Sequence, residues 1–140
     1  MLSQRIGRVM EREKMLTASP HTTVIEAVKR MASQRVGAVL VVDNEALAGI
    51  FTERDAVFRV MAQERDAQAT LLADVMTPSP LSVDPDKTFG FALHLMHEHG
   101  LRHMPVVQDG KPVGIVSARD ALDPDLEEFV SEARRREGLR

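Results

Sequence analysis

The chain has no cysteine, no tryptophan and no tyrosine, and only five phenylalanines among its 140 residues. Without cysteine there are no disulfides and no thiolate chemistry, which fits a reducing compartment. So few aromatic rings argue against a stacking platform for nucleic-acid bases. The 18 Lys and Arg are scattered and outnumbered by 21 Asp and Glu, so the net charge is −3 and no nucleic-acid footprint stands out. No apolar run approaches the ~18 residues that a membrane span needs. Residues 1–13 are charged throughout, with no apolar stretch of signal-peptide length. The expectation is a soluble cytoplasmic protein with neither nucleic acid nor membrane as a partner.

Catalytic signatures are also missing. There is no Gly-x-Ser-x-Gly, no Gly-x-x-x-x-Gly-Lys phosphate loop and no Gly-x-Gly-x-x-Gly dinucleotide turn. His94, His97, Glu98 and His99 lie close together, but no His-Glu-x-x-His occurs and His94-x-x-x-Glu98-His99 is one residue too long for His-x-x-Glu-His. The polar face of an exposed helix accounts for them, and no metal site is expected. The chain is read as no enzyme.

What is present is a repeat. Sliding the sequence by 65 residues lays 16–56 on 81–121 without a gap. Leu16, Pro20, Thr23, Ala27, Met31, Val41, Val42, Gly49, Ile50, Arg54, Asp55 and Ala56 each meet an identical residue. With 44% hydrophobic residues, mostly aliphatic, two such units can share a core of ordinary size. Each unit opens with an extended piece ending in proline, 15–20 and 80–85. An amphipathic helix follows, with Val24, Val28, Met31 and Ala32 at helical spacing in one copy and Phe89, Ala92, Leu93 and Met96 in the other. Two short Val-rich runs then flank a turn, 38–42 with 47–51 and 104–107 with 112–116, which predicts a hairpin. Second helices begin at Thr52 and Ser117. The order strand–helix–strand–strand–helix, twice over, predicts an α/β (α+β) fold. It divides into a first repeat with an N-terminal helix at 1–68, a second repeat at 69–124, and a C-terminal helix at 125–140 with acids first and arginines last.

Three stretches of the second unit, Asp74-Val75-Met76-Thr77, Arg102-His103-Met104-Pro105-Val106-Val107 and Gly114-Ile115-Val116-Ser117-Ala118-Arg119-Asp120, resemble the successive landmarks of a CBS domain. The first unit is similar more loosely, through 37–43 and 49–55, with Val9-Met10 standing where Val75-Met76 stand later. The resemblance implies a tandem CBS pair, or Bateman module, with βαββα repeats packed sheet to sheet about a pseudo-twofold axis. It implies two clefts for AMP, ADP, ATP, NAD(H) or S-adenosylmethionine, a homodimer, and a regulatory role towards an effector protein. One cleft would join Ile115, Ser117, Arg119 and Asp120 to Leu16, Thr17, Gly37 and Ala38. The other would join Ile50, Thr52, Arg54 and Asp55 to Thr77, Ser82, Leu101, Arg102 and His103.

The chemistry of these residues admits two readings. The carboxylate of Thr52-x-x-Asp55 or Ser117-x-x-Asp120 can accept both hydroxyls of a ribose, with the hydroxyl and the helix N-terminus taking a phosphate. The same spacing is close to a capping box, which needs no ligand. Arg54 and Arg119, in the first helical turn, oppose the helix dipole unless an anion or a neighbouring acid offsets them. Because Arg102-His103 is cationic and Gly37-Ala38 is not, the Arg102-His103 cleft is expected to prefer the more phosphorylated ligand. An adaptor that works with empty clefts remains the alternative function.

Overall fold

The computed structural model describes residues 2–10, 14–121 and 136. Of the expected C-terminal helix, 125–140, all but Arg136 lies outside them. Helix α1 (Ile6–Val9) precedes strand β1 (Thr17–Ala18), helix α2 (Val24–Gln34) and the hairpin β2 (Ala38–Asp43) and β3 (Ala46–Thr52). Helix α3 starts at Glu53–Asp55 and continues as a wider π-helical segment, Ala56–Met61. The second half runs α4 (Leu72–Val75), β4 (Thr77–Pro78), α5 (Phe89–Glu98), β5 (His103–Gln108), β6 (Lys111–Ser117) and a 3₁₀ turn, Ala118–Ala121. Among the described residues no helix is long and apolar enough to cross a membrane.

The duplication extends to fine geometry. Thr23 and Thr88 cap α2 and α5, each accepting an N–H from three residues on at 3.3 and 3.2 Å. The hairpin loops place Asn44 and Glu45, and then Asp109 and Gly110, at positive φ, as a two-residue turn matched to strand twist requires. Both hairpins slip register at the same point, between Val41 and Val42 and between Val106 and Val107. The two halves part where the second carries proline. Leu40 N–H donates to Leu16 O at 2.8 Å, joining β1 to β2. Pro105, its counterpart, has no N–H. The extended piece before α5 is accordingly reduced to a single bridge, Val83 with Val106. β4 adds to the first sheet beside β3, so that among the described residues one sheet has the order β1-β2-β3-β4 and the other β5-β6.

Alternation along the strands sorts side chains to two faces. Val39, Val41 and Phe51 enter a core with Val24, Ala27 and Met31 of α2, while Met104, Val106 and Val116 pack with Phe89, Ala92 and Met96 of α5. The opposite faces, Ala38, Leu40, Ile50 and Ile115, meet in a third buried cluster that joins the sheets. Each core also takes in the short helix that precedes the other repeat. Leu72 and Val75 of α4 fill the first core, and Ile6 with Met10 fills the second. Backbone bonds fix the exchange. Leu72 N–H reaches Thr22 O at 2.9 Å, and Ile6 N–H reaches Lys87 O at 2.8 Å.

Two glycines make this exchange possible. A Cβ on Gly49 would collide with Met76 Sδ and stand 3.0 Å from the Thr77 carbonyl oxygen. On Gly114 it would stand 2.6 Å from Met10 Sδ and 3.2 Å from Met10 Cβ. Met10 and Met76 thus lie flat on the glycines of the opposite hairpins. Gly49→Ala meets rigid backbone and should lower stability in urea unfolding by about 1–3 kcal/mol. Gly114→Ala, which meets only side-chain atoms, should cost less, and Met76→Ala added to Gly49→Ala should not restore the full loss.

Candidate functional site

Two cavities flank the contact between the sheets. The larger, about 930 Å³, is bounded on one side by Gly37 and Ala38 at the start of β2, and on the other by Ile115, Ser117, Arg119 and Asp120. The smaller, about 610 Å³, is bounded by Ile50, Thr52, Arg54 and Asp55 together with Thr77, Leu101, Arg102 and His103. Both fall in the size range of small-molecule sites. Hydrogen bonds of matching position frame them. Glu53 N–H donates to Gly37 O at 3.0 Å, and Ala118 N–H donates to Arg102 O at 2.8 Å.

The structure thus brings together most of the predicted residues and leaves out three. Leu16 is buried in the first core, and Thr17, beside it in β1, offers its carbonyl to Arg30 at 2.9 Å; neither lines the larger cleft. The single-bridge extended piece keeps Ser82 exposed and outside the smaller cleft, where the neighbouring Pro80 and Leu81 form the wall instead.

The two Asp residues differ in how far the fold already uses them. Asp55 Oδ2 accepts the Thr52 N–H at 2.9 Å and its hydroxyl at 3.2 Å, while Thr52 Oγ1 accepts Asp55 N–H at 3.3 Å. This is a complete capping box, and Asp55 Oδ1 lies 3.5 Å from Arg59 Nε. Asp120 Oδ2 accepts only the Ser117 N–H, at 2.9 Å, and its Oδ1 has no hydrogen-bond partner among the described residues. The capping reading therefore describes the first copy well. The second copy keeps a carboxylate oxygen available at the mouth of the larger cleft.

The arginines also separate. Arg54 lies over the Phe58 ring, 5.0 Å from its centroid, so a local π face rather than an anion holds it. Arg119 sits in a single 3₁₀ turn, which carries little dipole, and lines the larger cleft.

The expected charge difference between the clefts is corrected. Arg102 and His103 line both cavities, and the larger adds Lys14, Arg35 and Arg119 against the carboxylates of Glu53 and Asp120. The smaller has Arg54, Arg59 and Arg102 against Glu53 and Asp55. Among the described residues the larger cleft is lined by four permanent cations and the smaller by three, at equal numbers of acids. Sequence spacing does not single out Lys14 and Arg35, because neither belongs to the strand-to-helix segments.

A signal for Arg35 did exist. It is the C-cap of α2, held in the left-handed region at φ 56°, while its counterpart 65 residues on is Gly100, at φ 66°. A non-glycine residue there carries strain of about 1–2 kcal/mol. His103 is held below the usual histidine range, chiefly by burial; Arg102 adds to the lowering, and Glu53 and Asp120 oppose it. Its imidazole is neutral at neutral pH.

The comparisons agree with this architecture. The CBS domain family matches the chain twice, over residues 6–62 and 72–126. The Meiotically up-regulated gene 70 protein of Schizosaccharomyces pombe is 46% identical over 109 residues, 77% of this chain but 15% of its own length. The chain spans less than two thirds of each of the first curated relatives it matches. An uncharacterized conserved protein from Pyrococcus horikoshii has the same fold at a TM-score of 0.80 and 28% identity, with 87% of this chain and 92% of that one covered. A CBS domain protein from Pyrobaculum aerophilum, complexed with AMP, superposes at a TM-score of 0.79 and 24% identity, covering 91% of this chain and 99% of that one. With both repeats matched and sheets, caps and clefts in duplicate, the chain belongs to the CBS-domain family as a tandem pair.

Proposed function

We propose that the chain is a regulatory module that senses an adenine nucleotide, AMP, ADP, ATP or NAD(H), and signals by a change of conformation or of dimer arrangement to an effector protein. The observation that carries this reading is the pair of strand ends, Thr52 with Asp55 and Ser117 with Asp120, each opening into its own cleft. The fold of the AMP complex from Pyrobaculum aerophilum supports it at the level of architecture. In each cleft an aliphatic strand residue, Ile115 or Ile50, suits the adenine face, the Asp suits a ribose, and the cations suit phosphates. The larger cleft, with Lys14, Arg35 and Arg119, takes the more phosphorylated ligand. The module catalyses no reaction in this reading.

One observation favours the second reading, an interaction adaptor with empty clefts. Val57, Phe58 and Met61 of α3 are 50%, 57% and 72% exposed, an apolar face that suits a second copy or an effector.

Asp120→Asn should weaken AMP binding by about 10–100-fold, the worth of a hydrogen bond to a charged group, with little loss of stability. Asp55→Ala should also lower stability, because it removes the side-chain acceptor of a capping box. Thermal-shift titration reads both effects. A screen of adenine ligands without any stabilisation, beside a stable dimer, would leave the adaptor reading.

Arg35→Gly should separate folding from binding. Relief of the left-handed strain should keep or raise the melting temperature of the free protein. Affinity for ATP should fall, and an unchanged affinity would remove Arg35 from the site.

The His103 shift sets a pH dependence. Its folded pKa lies below the ordinary 6.5, so above that value both folded and unfolded states are neutral and nothing is lost. As pH falls through 6.5 the unfolded chain takes up a proton first, and stability declines until the folded pKa is reached. A bound phosphate beside His103 favours the imidazolium and opposes that decline. The extra thermal shift given by AMP over adenosine should therefore grow below pH 6.5, and grow less in His103→Gln.

A further inference from the structure

We infer that the two clefts are coupled sites that compete for the Arg102 guanidinium, so that a phosphate-bearing ligand in one weakens the binding of a second in the other. The inference rests on the nucleotide reading above and adds to it a relation between the sites. Glu53, Arg102 and His103 each line both cavities. Their counterparts under the 65-residue shift are Ala118, Gly37 and Ala38, and these line the larger cavity alone. The polar residues shared by the two clefts, beside the apolar contact between the sheets, therefore have no shared equivalents under the repeat. Where one repeat has a long charged or aromatic side chain, the other has a small one that makes room for it.

Gly37 shows that room directly. A Cβ at this position would stand 3.1 Å from Glu53 Oε1 and 3.3 Å from His103 Cε1. Glu53 and His103 thus approach over the space that glycine leaves open, and together they form a thin polar wall. Arg102, beside His103 at the edge of β5, is exposed and long, so its head can turn to either side.

A guanidinium offers its forked donors to one phosphate at a time, and the bidentate arrangement that makes it strong cannot be shared between two groups on opposite sides of a wall. The cleft that loses Arg102 keeps Glu53, whose carboxylate repels the ligand phosphate. Both changes act in one direction. The other cations stay with their own clefts: Lys14, Arg35 and Arg119 in the larger, Arg54 and Arg59 in the smaller. Coupling is therefore graded, of the order of about tenfold, within the range common for linked sites. It requires a charged ligand, because a nucleoside without phosphate makes no demand on Arg102.

Isothermal titration of the full chain with AMP and, separately, with adenosine tests this. Because the clefts differ even without coupling, the gap between two AMP affinities should exceed the gap between two adenosine affinities by about tenfold, and Arg102→Met should narrow the AMP gap by that amount. One AMP against two adenosines is the same competition carried to exclusion and also supports the inference. An AMP gap no wider than that for adenosine, a single site for both ligands, or an AMP gap unchanged in Arg102→Met would overturn the coupling and leave the nucleotide reading standing. Failure of both ligands to bind would overturn both. Arg102 lies outside the cores, so the variant should fold, and its melting temperature checks that. Arg102→Lys, which keeps the charge but not the fork, should retain part of the gap.

Discussion

The contact of Ala38, Leu40, Ile50 and Ile115 across the two sheets is the constraint on which the rest depends. Leu40 is fully buried and the two isoleucines are nearly so, which leaves them no other place to remove apolar surface from water. Ala38 and Ile115 of this contact also line the larger cavity and Ile50 lines the smaller, so an opening lies on either side of it. The clefts are those two openings. Their mouths carry the residues at the end of β3 and β6, where the backbone leaves the sheet and turns into a helix. Packing thus produces two cavities as a by-product of joining two halves.

Duplication supplies the scaffold, and departures from it supply the differences between the clefts. Capping threonines, the hairpin turns and the register slips repeat closely. The side chains at the openings do not. Gly37-Ala38 faces Arg102-His103, Arg35 faces Gly100, and Glu53 faces Ala118 under the same shift. Phe58 has Asp123 as its counterpart, so an aromatic ring stands at only one of the two positions. The exchanges at 35, 37, 38 and 53 are tolerated because each lies at an element end, where it costs little packing.

Much of this was legible in the chain alone, and the reasons are specific. Val24, Met31, Phe89 and Met96 announced the helices because burial and helical period agree there. The hairpins announced themselves through short Val-rich runs around residues that accept positive φ. Contacts distant in sequence were not legible. Nothing in the local pattern says that Met76 covers Gly49, that β4 pairs with the other unit's strand, or that Pro105 costs the second half a strand pairing. At the cavities, spacing singled out the acids and hydroxyls that border them. The reach of Arg102 and His103 into both openings was not, because side-chain length acts across an interface that the linear order does not display. Ser82 and its counterpart Thr17 lie outside the two cavities alike, although the repeat places them at corresponding positions.

The exchange of α1 and α4 between the cores has a consequence for how such a unit can exist at all. A single repeat carries the arm that another repeat needs and lacks the arm that would complete itself. In isolation it would expose the groove that Ile6 or Leu72 fills, and only a separate copy could close it. Joining two units in one polypeptide turns that encounter between molecules into an internal one, at an effective concentration set by the short connection. Obligate partnership is then independent of how much of the protein a cell contains, and each half is free to specialise without losing the other.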